Sequence, residues 1–203
     1  MVNVFVSHYN PAQAAKALPN LLCQRMCLEA AEILCGAQWN LQLDLQTPTP
    51  ERRPFDSHPA QPPYKRSLSQ RKHPVVLWAG AERGNYVWLL KHIEALAKEH
   101  VKRYPNSQLP APYTDTFEWL SHRKHKIPTA FDTATVQASD LSFYGAFNQK
   151  DFLSYSTDIR IQYRLSLLYK WLYEYTRNHS WAPRKPPEWS FDKKLRRVLL
   201  DIY

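Results

Sequence analysis

Residues 81–104, AERGNYVWLLKHIEALAKEHVKRY, carry the clearest helical pattern in this chain. Apolar residues recur there every three or four positions, which is the spacing that places side chains on one face of an α-helix. The stretch therefore predicts a long amphipathic helix, from about Ala81 to about Tyr104, with one face in the core. The residues expected on that buried face are Val87, Leu90, Ile93, Leu96, Ala97 and Val101.

Two helices are predicted before this one. Asn10 followed by Pro11 is typical of a helix start, because an asparagine side chain caps free backbone N–H groups and proline suits the first turn. Pro19 should end that helix, and Asn20 is expected to cap a second helix that runs to about Cys35. The apolar residues at helical spacing in the second helix are Leu22, Met26, Ala30, Ile33 and Leu34.

Two further helices are predicted after residue 104. The shorter one spans about residues 114–124, and the longer one spans about residues 156–177. The β-prone residues 2–6 are too few to build a sheet alone. With 44% hydrophobic and 13% aromatic residues, a chain of 203 residues can build one real core. We therefore expect a mainly α fold, a compact single-domain helical bundle over residues 1–203.

A proline-rich stretch interrupts this pattern between residues 47 and 63. It holds six prolines with polar residues between them, which forbids a continuous helix and disfavours a central strand. We expect a long surface loop, inserted into the bundle and leading into a basic run on the substrate side. The chain ends in a second basic stretch, the tail over residues 181–203, which also carries aromatic residues and prolines.

The charge balance favours a polyanionic partner. Twenty-seven lysines and arginines against 18 aspartates and glutamates give a net charge of +9. Binding to phosphates releases condensed counterions, so nucleic acid is the first candidate, although a basic chain also gains solubility from such a charge. The basic residues lie beside aromatics, which suits DNA binding. The residues predicted to contact DNA are Arg25, Lys65, Arg66, Arg71, Lys72, Arg123, Lys124, Arg184, Lys185 and Trp189.

Several other classes of protein are disfavoured. No apolar run approaches the roughly 20 residues of a membrane helix, and the N-terminus lacks a secretory pattern, so we expect a cytoplasmic protein. Cys23, Cys27 and Cys35 are odd in number and fall in one predicted helix, which favours reduced, buried thiols. No set of ligands suits a metal, and the four glycines form no Gly-x-Gly motif, so we expect no metal and no nucleotide cofactor. We also expect a monomer.

Short motifs follow one another along most of the chain. They are the segment Asn20–Leu34, Tyr64-Lys65, His73-Pro74, Trp78, Asn85–Leu89, Glu99, Arg103-Tyr104 and Trp181–Trp189. In this order they resemble the motifs of a family of phage and bacterial proteins related to pyrimidine-dimer DNA glycosylases. The chain is also similar, more distantly, to the phage endonuclease V enzyme. The resemblance implies a compact helical glycosylase that acts on double-stranded DNA.

The resemblance implies two catalytic groups. Glu29 occupies the position of the family's early-helix glutamate, and a carboxylate there would stabilise the positive charge that develops on the sugar. The alternative is a surface ion pair with Arg25, four residues earlier. If Met1 is removed, the amine of Val2, with a pKa of about 8, would form a Schiff base with the sugar. Otherwise the N-terminus is an ordinary one, and water is the nucleophile.

An enzyme that excises a base from duplex DNA must extrude it into a pocket. The residues predicted for that pocket are Tyr64, His73, Trp78, Asn85 and Tyr86. Of these, Asn85 and Tyr86 carry the amide and phenol that suit a pyrimidine edge. The neighbouring Trp88 and Leu90 fit the core equally well.

The expected function is excision of a damaged or modified base, a pyrimidine by preference, in repair or in defence against phage with modified DNA. Family members carry an aspartate and a histidine where this chain has Asn20 and Leu22. This difference keeps two alternatives open. One is a DNA-binding protein without catalysis on the same fold, and the other is an enzyme that transfers a group to a flipped base.

Overall fold

The computed structural model describes residues 4–44, 71–109, 111–123, 156–169, 171–172 and 180–202. Over these residues the chain is mainly helical and contains no β-strand, which confirms the predicted fold class. The proline-rich stretch 47–63 lies outside the described residues. The helices are α1 (Pro11–Ala17), α2 (Asn20–Asp44), α3 (Pro74–Ala81), α4 (Arg83–Arg103), α5 (Ala111–Arg123), α6 (Ile159–Tyr169) and α7 (Lys193–Ile202), with a 3-10 turn at Glu188–Phe191.

Helix α1 begins as its sequence predicts. The Oδ1 atom of Asn10 accepts hydrogen bonds from the backbone N–H groups of Ala12 and Gln13, at 2.9 and 3.3 Å. Pro11 occupies the first turn, where its missing N–H costs nothing. The helix ends at Ala17, before Pro19, so the local start and stop signals together determine this element.

Helix α2 is longer than predicted, since it ends at Asp44 instead of near Cys35. It packs against α3, α4 and α5, and this tertiary burial carries the helix past Gly36. The predicted cap at Asn20 is also wrong. The Oδ1 atom of Asn20 accepts a hydrogen bond from Nη1 of Arg103 at 3.1 Å, and its Nδ2 atom donates to the carbonyl of Ala182 at 3.1 Å. The side chain therefore links distant segments rather than capping its own helix.

Helix α4 lies at the centre of the fold and contacts α1, α2, α3 and α5. Leu90, Ile93 and Leu96 are buried as predicted. Ala97 is partly buried and packs against the core, and Val87 is partly buried. The prediction for Val101 is wrong, because that residue is 50% exposed. Polar side chains are buried in α4 instead, since each finds a partner from another segment or along the helix. The buried polar residues of α4 are Asn85, His92, Glu99, His100 and Arg103.

Helix α3 was not predicted as a separate element. Nδ1 of His73 accepts a hydrogen bond from the N–H of Val75 at 3.3 Å, and Pro74 occupies the first turn. Glu82 has extended backbone angles and separates α3 from α4. A β-carbon built on Gly80 would lie 3.5 Å from Cβ of Ala37, so small side chains allow α3 to approach α2 closely.

The basic tail does not extend freely over the described residues 180–202. The Nε1 atom of Trp181 donates to the carbonyl of Ala17 at 2.9 Å, and its ring meets Trp171 edge-on at 5.0 Å. Leu195, Val198 and Leu199 bury one face of α7 in the core. These contacts hold the C-terminal segment beside α1 and α6. Within the described ranges, no helix has both the length and the apolar content needed to cross a bilayer.

Candidate functional site

A basic pocket of about 440 Å³ opens between the segment before α1, the end of α1, helix α6 and the C-terminal segment. We define it by four cationic residues, Lys16, Arg164, Arg184 and Lys185, together with His8 and Trp189. Among the described residues that line it, Glu188 supplies the carboxylate. Most of these residues are far apart in sequence, so the pocket exists only because the C-terminal segment folds against α1 and α6.

Arg184 is held at the pocket by a buried carboxylate. Its Nε atom donates to Oε2 of Glu99 at 3.1 Å, and its Nη2 atom donates to Oε1 at 2.6 Å. Burial acts to raise the pKa of Glu99, but the hydrogen bonds and charges of Arg184 and Arg103 hold that pKa below its ordinary value. The carboxylate is therefore ionised at neutral pH and fixes the Arg184 guanidinium in one orientation.

The same carboxylate also binds Arg103, whose side chain is 0% exposed. The Nε atom of Arg103 donates to Oε2 of Glu99 at 3.2 Å. Its terminal nitrogens donate to the carbonyls of Leu18 and Lys16 and to Oδ1 of Asn20, at 2.6, 3.0 and 3.1 Å. Arg103 thus joins the end of α1, the start of α2 and the end of α4 directly beside the basic pocket.

Arg164, on α6, is the second guanidinium of the pocket. Its Nε atom donates to the carbonyl of Ser7 at 3.2 Å, and its central carbon lies 5.7 Å from the ring centre of Trp189. Burial and the neighbouring charge of Arg160 lower the pKa of Arg164, although Asp158 and Asp192 oppose the shift. The charge of Arg164 is therefore poorly compensated, which favours binding of an anion here.

His8 contributes an uncharged imidazole. Burial, followed by the charges of Arg164 and Arg160, lowers the pKa of His8 to about 4. Its Nδ1 atom lies 3.1 Å from Oγ of Ser7. At neutral pH this ring is therefore a neutral hydrogen-bonding group on the pocket wall.

Trp189 forms an aromatic wall of the pocket. Its ring stacks on that of Trp171, with 5.2 Å between ring centres and 23° between planes. Trp171 in turn packs on Trp181. The contact with Trp171 positions the Trp189 ring at the edge of the pocket.

The predicted DNA-binding residues whose side chains the structure describes divide into two groups. Arg184, Lys185 and Trp189 come together in the basic pocket. Arg71 and Lys72 are exposed just before α3, and Arg25 is exposed on α2, and none of these three lines the pocket.

Sequence reasoning missed Lys16, Arg164 and His8. Arg164 lies one helical turn after Arg160, and this pair of arginines on one side of α6 was the available signal.

Three residues predicted for a base pocket lie in the core. Trp78, Asn85 and Tyr86 are all buried, and Nδ2 of Asn85 donates to the carbonyl of Trp78 at 2.9 Å. This bond joins α3 to α4. His73 caps α3, and none of these four side chains lines the basic pocket. Trp88 and Leu90 are buried as well, in line with their alternative assignment to the core.

Glu29 is half-buried on α2 and does not line the basic pocket. Arg123 ends α5, but its side chain lies outside the described part of the chain. The predicted residues outside the described ranges are Val2, Tyr64, Lys65, Arg66 and Lys124.

The three cysteines are buried on α2 as reduced thiols that form no disulfide, as predicted. Burial raises the pKa of Cys23 to about 11 and also raises the pKa of Cys27, so both remain protonated thiols. In the described ranges, no group of three or more histidine, cysteine or acidic residues is arranged to hold a metal ion.

Compared with protein-family models, curated proteins and solved structures, the chain matches none. The resemblance to pyrimidine-dimer glycosylases therefore rests on the sequence motifs alone.

Proposed function

We propose that this protein binds double-stranded DNA, with the basic pocket as a principal contact for the phosphate backbone. The observation that carries this proposal is the surplus of positive charge in the pocket. Among the described lining residues, Glu188 alone carries a negative charge, against the positive charges of Lys16, Lys185 and Arg164. The fourth cation, Arg184, is bound by Glu99, and that carboxylate also binds Arg103. Such a surplus attracts a polyanion and gains further from counterion release.

The arrangement of donors also suits phosphate. Arginine presents planar pairs of N–H groups that match phosphate oxygens, and lysine adds a mobile positive charge. Lys16 and Lys185 are exposed, so they can reach a backbone that passes over the pocket. Contacts of this kind position a protein on DNA without reading its sequence.

The first test measures DNA affinity against salt concentration. The double variant Lys16→Ala, Lys185→Ala removes two exposed positive charges of the pocket. We expect weaker binding to a labelled duplex in fluorescence anisotropy, and a fall of about two in the slope of log Kd against log salt. The matched control Lys91→Ala, Lys98→Ala removes two exposed charges from α4. Equal effects of the two double variants would contradict a role for the pocket.

A narrower second proposal is that the bound DNA loses a base, with Glu29 as the catalytic carboxylate. Support comes from the half-buried position of Glu29 on α2, together with the motif that places a glutamate there in the resembled family. A carboxylate partly removed from water stabilises a developing positive charge more strongly than an exposed one. In this proposal the basic pocket binds the backbone, and the core residues Asn85 and Tyr86 take no part.

Base release by wild type and by Glu29→Gln tests the second proposal. The two proteins are incubated with DNAs that carry pyrimidine lesions or phage modifications, and released bases and abasic sites are measured by mass spectrometry and labelling. We expect Glu29→Gln to be slower by at least about a hundredfold. Glu32→Gln, which changes another half-buried carboxylate on α2, is the control. Tight binding without release from any DNA would reject catalysis and leave the binding proposal standing.

A further inference from the structure

We infer that the basic pocket is a site for a terminal phosphate, a phosphomonoester at the end of a DNA strand or on a free nucleotide. This inference rests on the proposed function, because it assigns a particular phosphate to the pocket that contacts DNA. The two proposals make different predictions. A site for the DNA backbone binds a phosphodiester at any position along a strand, whereas a site for a terminal phosphate prefers a phosphomonoester.

Each of the two arginines of the pocket uses some of its N–H groups to bind the protein, and within the described part of the chain its other N–H groups are available to a ligand. Nε of Arg164 is bound by the carbonyl of Ser7, and Arg184 is bound through Nε and Nη2 by Glu99. Within the described part of the chain, Nη1 and Nη2 of Arg164 and Nη1 of Arg184 make no hydrogen bond. Two arginines that are already oriented lose little side-chain entropy when they bind an anion, so their terminal N–H groups form a prepared site.

The charge of the pocket also suits a monoester. A phosphomonoester carries about −1.5 to −2 at neutral pH, whereas each phosphodiester of a strand carries one negative charge. Four cationic residues line this one pocket, and Glu188 offsets one of them. Arg184 is also bound by Glu99, but that carboxylate is shared with Arg103. The combined charge of the four cations exceeds what a single diester neutralises, and a dianion matches it better.

The aromatic wall of the pocket favours the end of a strand. The pocket is an open concavity of about 440 Å³, which has room for a phosphate and the nucleoside next to it. Trp189, fixed against Trp171, gives the sugar or base next to the phosphate an apolar surface. His8 adds a polar group that is uncharged at neutral pH.

The experiment compares four ligands in fluorescence anisotropy and competition. Three are versions of one short oligonucleotide, with a 5′-phosphate, with a 3′-phosphate, or with hydroxyl groups at both ends. The fourth is a free deoxynucleoside 5′-monophosphate. We expect at least one terminal phosphate to improve affinity about tenfold over the hydroxyl form.

The variant Arg164→Gln should reduce that ratio to about one, since it removes a cation and its paired donors. Arg196→Gln is a closely matched control. The Nε atom of Arg196 also donates to a backbone carbonyl, that of Ser190 at 2.8 Å, and its guanidinium also lies 5.7 Å from an aromatic ring, that of Phe191. Arg196 does not line the pocket, so its variant should keep the preference. Lys185→Ala, at an exposed position, provides a second pocket variant whose folding is not at risk.

The outcomes separate the two proposals. The inference is supported if wild type prefers a phosphorylated end, and if Arg164→Gln and Lys185→Ala lose that preference while Arg196→Gln keeps it. The terminal phosphate of a strand is then the ligand. Equally tight binding of the free monophosphate supports the inference with a nucleotide as source. Equal binding of hydroxyl and phosphate forms, with the salt dependence still reduced by the lysine variants, overturns the inference and leaves DNA binding intact. Absence of DNA binding rejects the proposed function, and the monophosphate titration then decides the inference independently.

Discussion

Replacing Glu99 with alanine is expected to lower the free energy of unfolding by about 3–5 kcal/mol, the range for removing one partner of a buried ion pair. The side chains of Arg103 and Glu99 are 0% and 6% exposed, so water cannot replace the lost carboxylate. The remaining partners of Arg103 are neutral, two carbonyls and one amide oxygen. They satisfy its N–H groups but do not balance its charge.

Urea denaturation of wild type and Glu99→Ala measures this loss. The control is Glu94→Ala on the same helix, where the side chains of Lys98 and Glu94 are 74% and 49% exposed. An exposed pair at this spacing contributes about 0.3–0.5 kcal/mol, so the control should be close to wild type. If the two variants lose similar amounts of unfolding free energy, burial of the ion pairs around Glu99 does not add to stability.

Acidification is expected to remove about 3 kcal/mol of stability through His92 alone. Complete burial lowers the pKa of His92 from 6.5 to about 4, against the opposing effect of its hydrogen bond to Pro11. The unfolded chain then binds more protons than the folded chain between these two values. The stability that depends on neutral His92 is therefore fully present above about pH 6.5. It is lost as the pH falls from 6.5 through about 4.

The variant His92→Asn isolates this contribution. Its amide nitrogen can replace Nδ1, which lies 2.9 Å from the carbonyl of Pro11, but the side chain does not titrate. We expect lower stability than wild type at pH 7, because the ring stacks on Trp88, and a smaller loss between pH 6.5 and 4. His8 titrates in the same range, so the difference between the two proteins is the relevant quantity. His122→Asn, at an exposed position on α5, is the control, and a pH profile of His92→Asn parallel to wild type would refute the assignment.

Local sequence was sufficient for some elements. The cap at Asn10, the proline after it and the stop before Pro19 placed α1, because all three signals act within one or two helical turns. The apolar repeat located α4 to within about two residues at each end, since that repeat is the direct signature of a buried helix face. The burial of the three cysteines followed from the same reasoning on α2.

The sequence alone thus determined the helical class, the positions of the strongest helices and the basic character of the surface, because periodicity, capping and net charge are properties of neighbouring residues or of composition. Tertiary structure decided which polar residues are buried. Glu99 and Arg103 could enter the core only because partners from other segments compensate them. It also decided the site, since His8, Lys16, Arg164 and Arg184 meet only after the C-terminal segment packs on α1 and α6. Contacts over such separations depend on the folded path of the chain, and no local pattern encodes them.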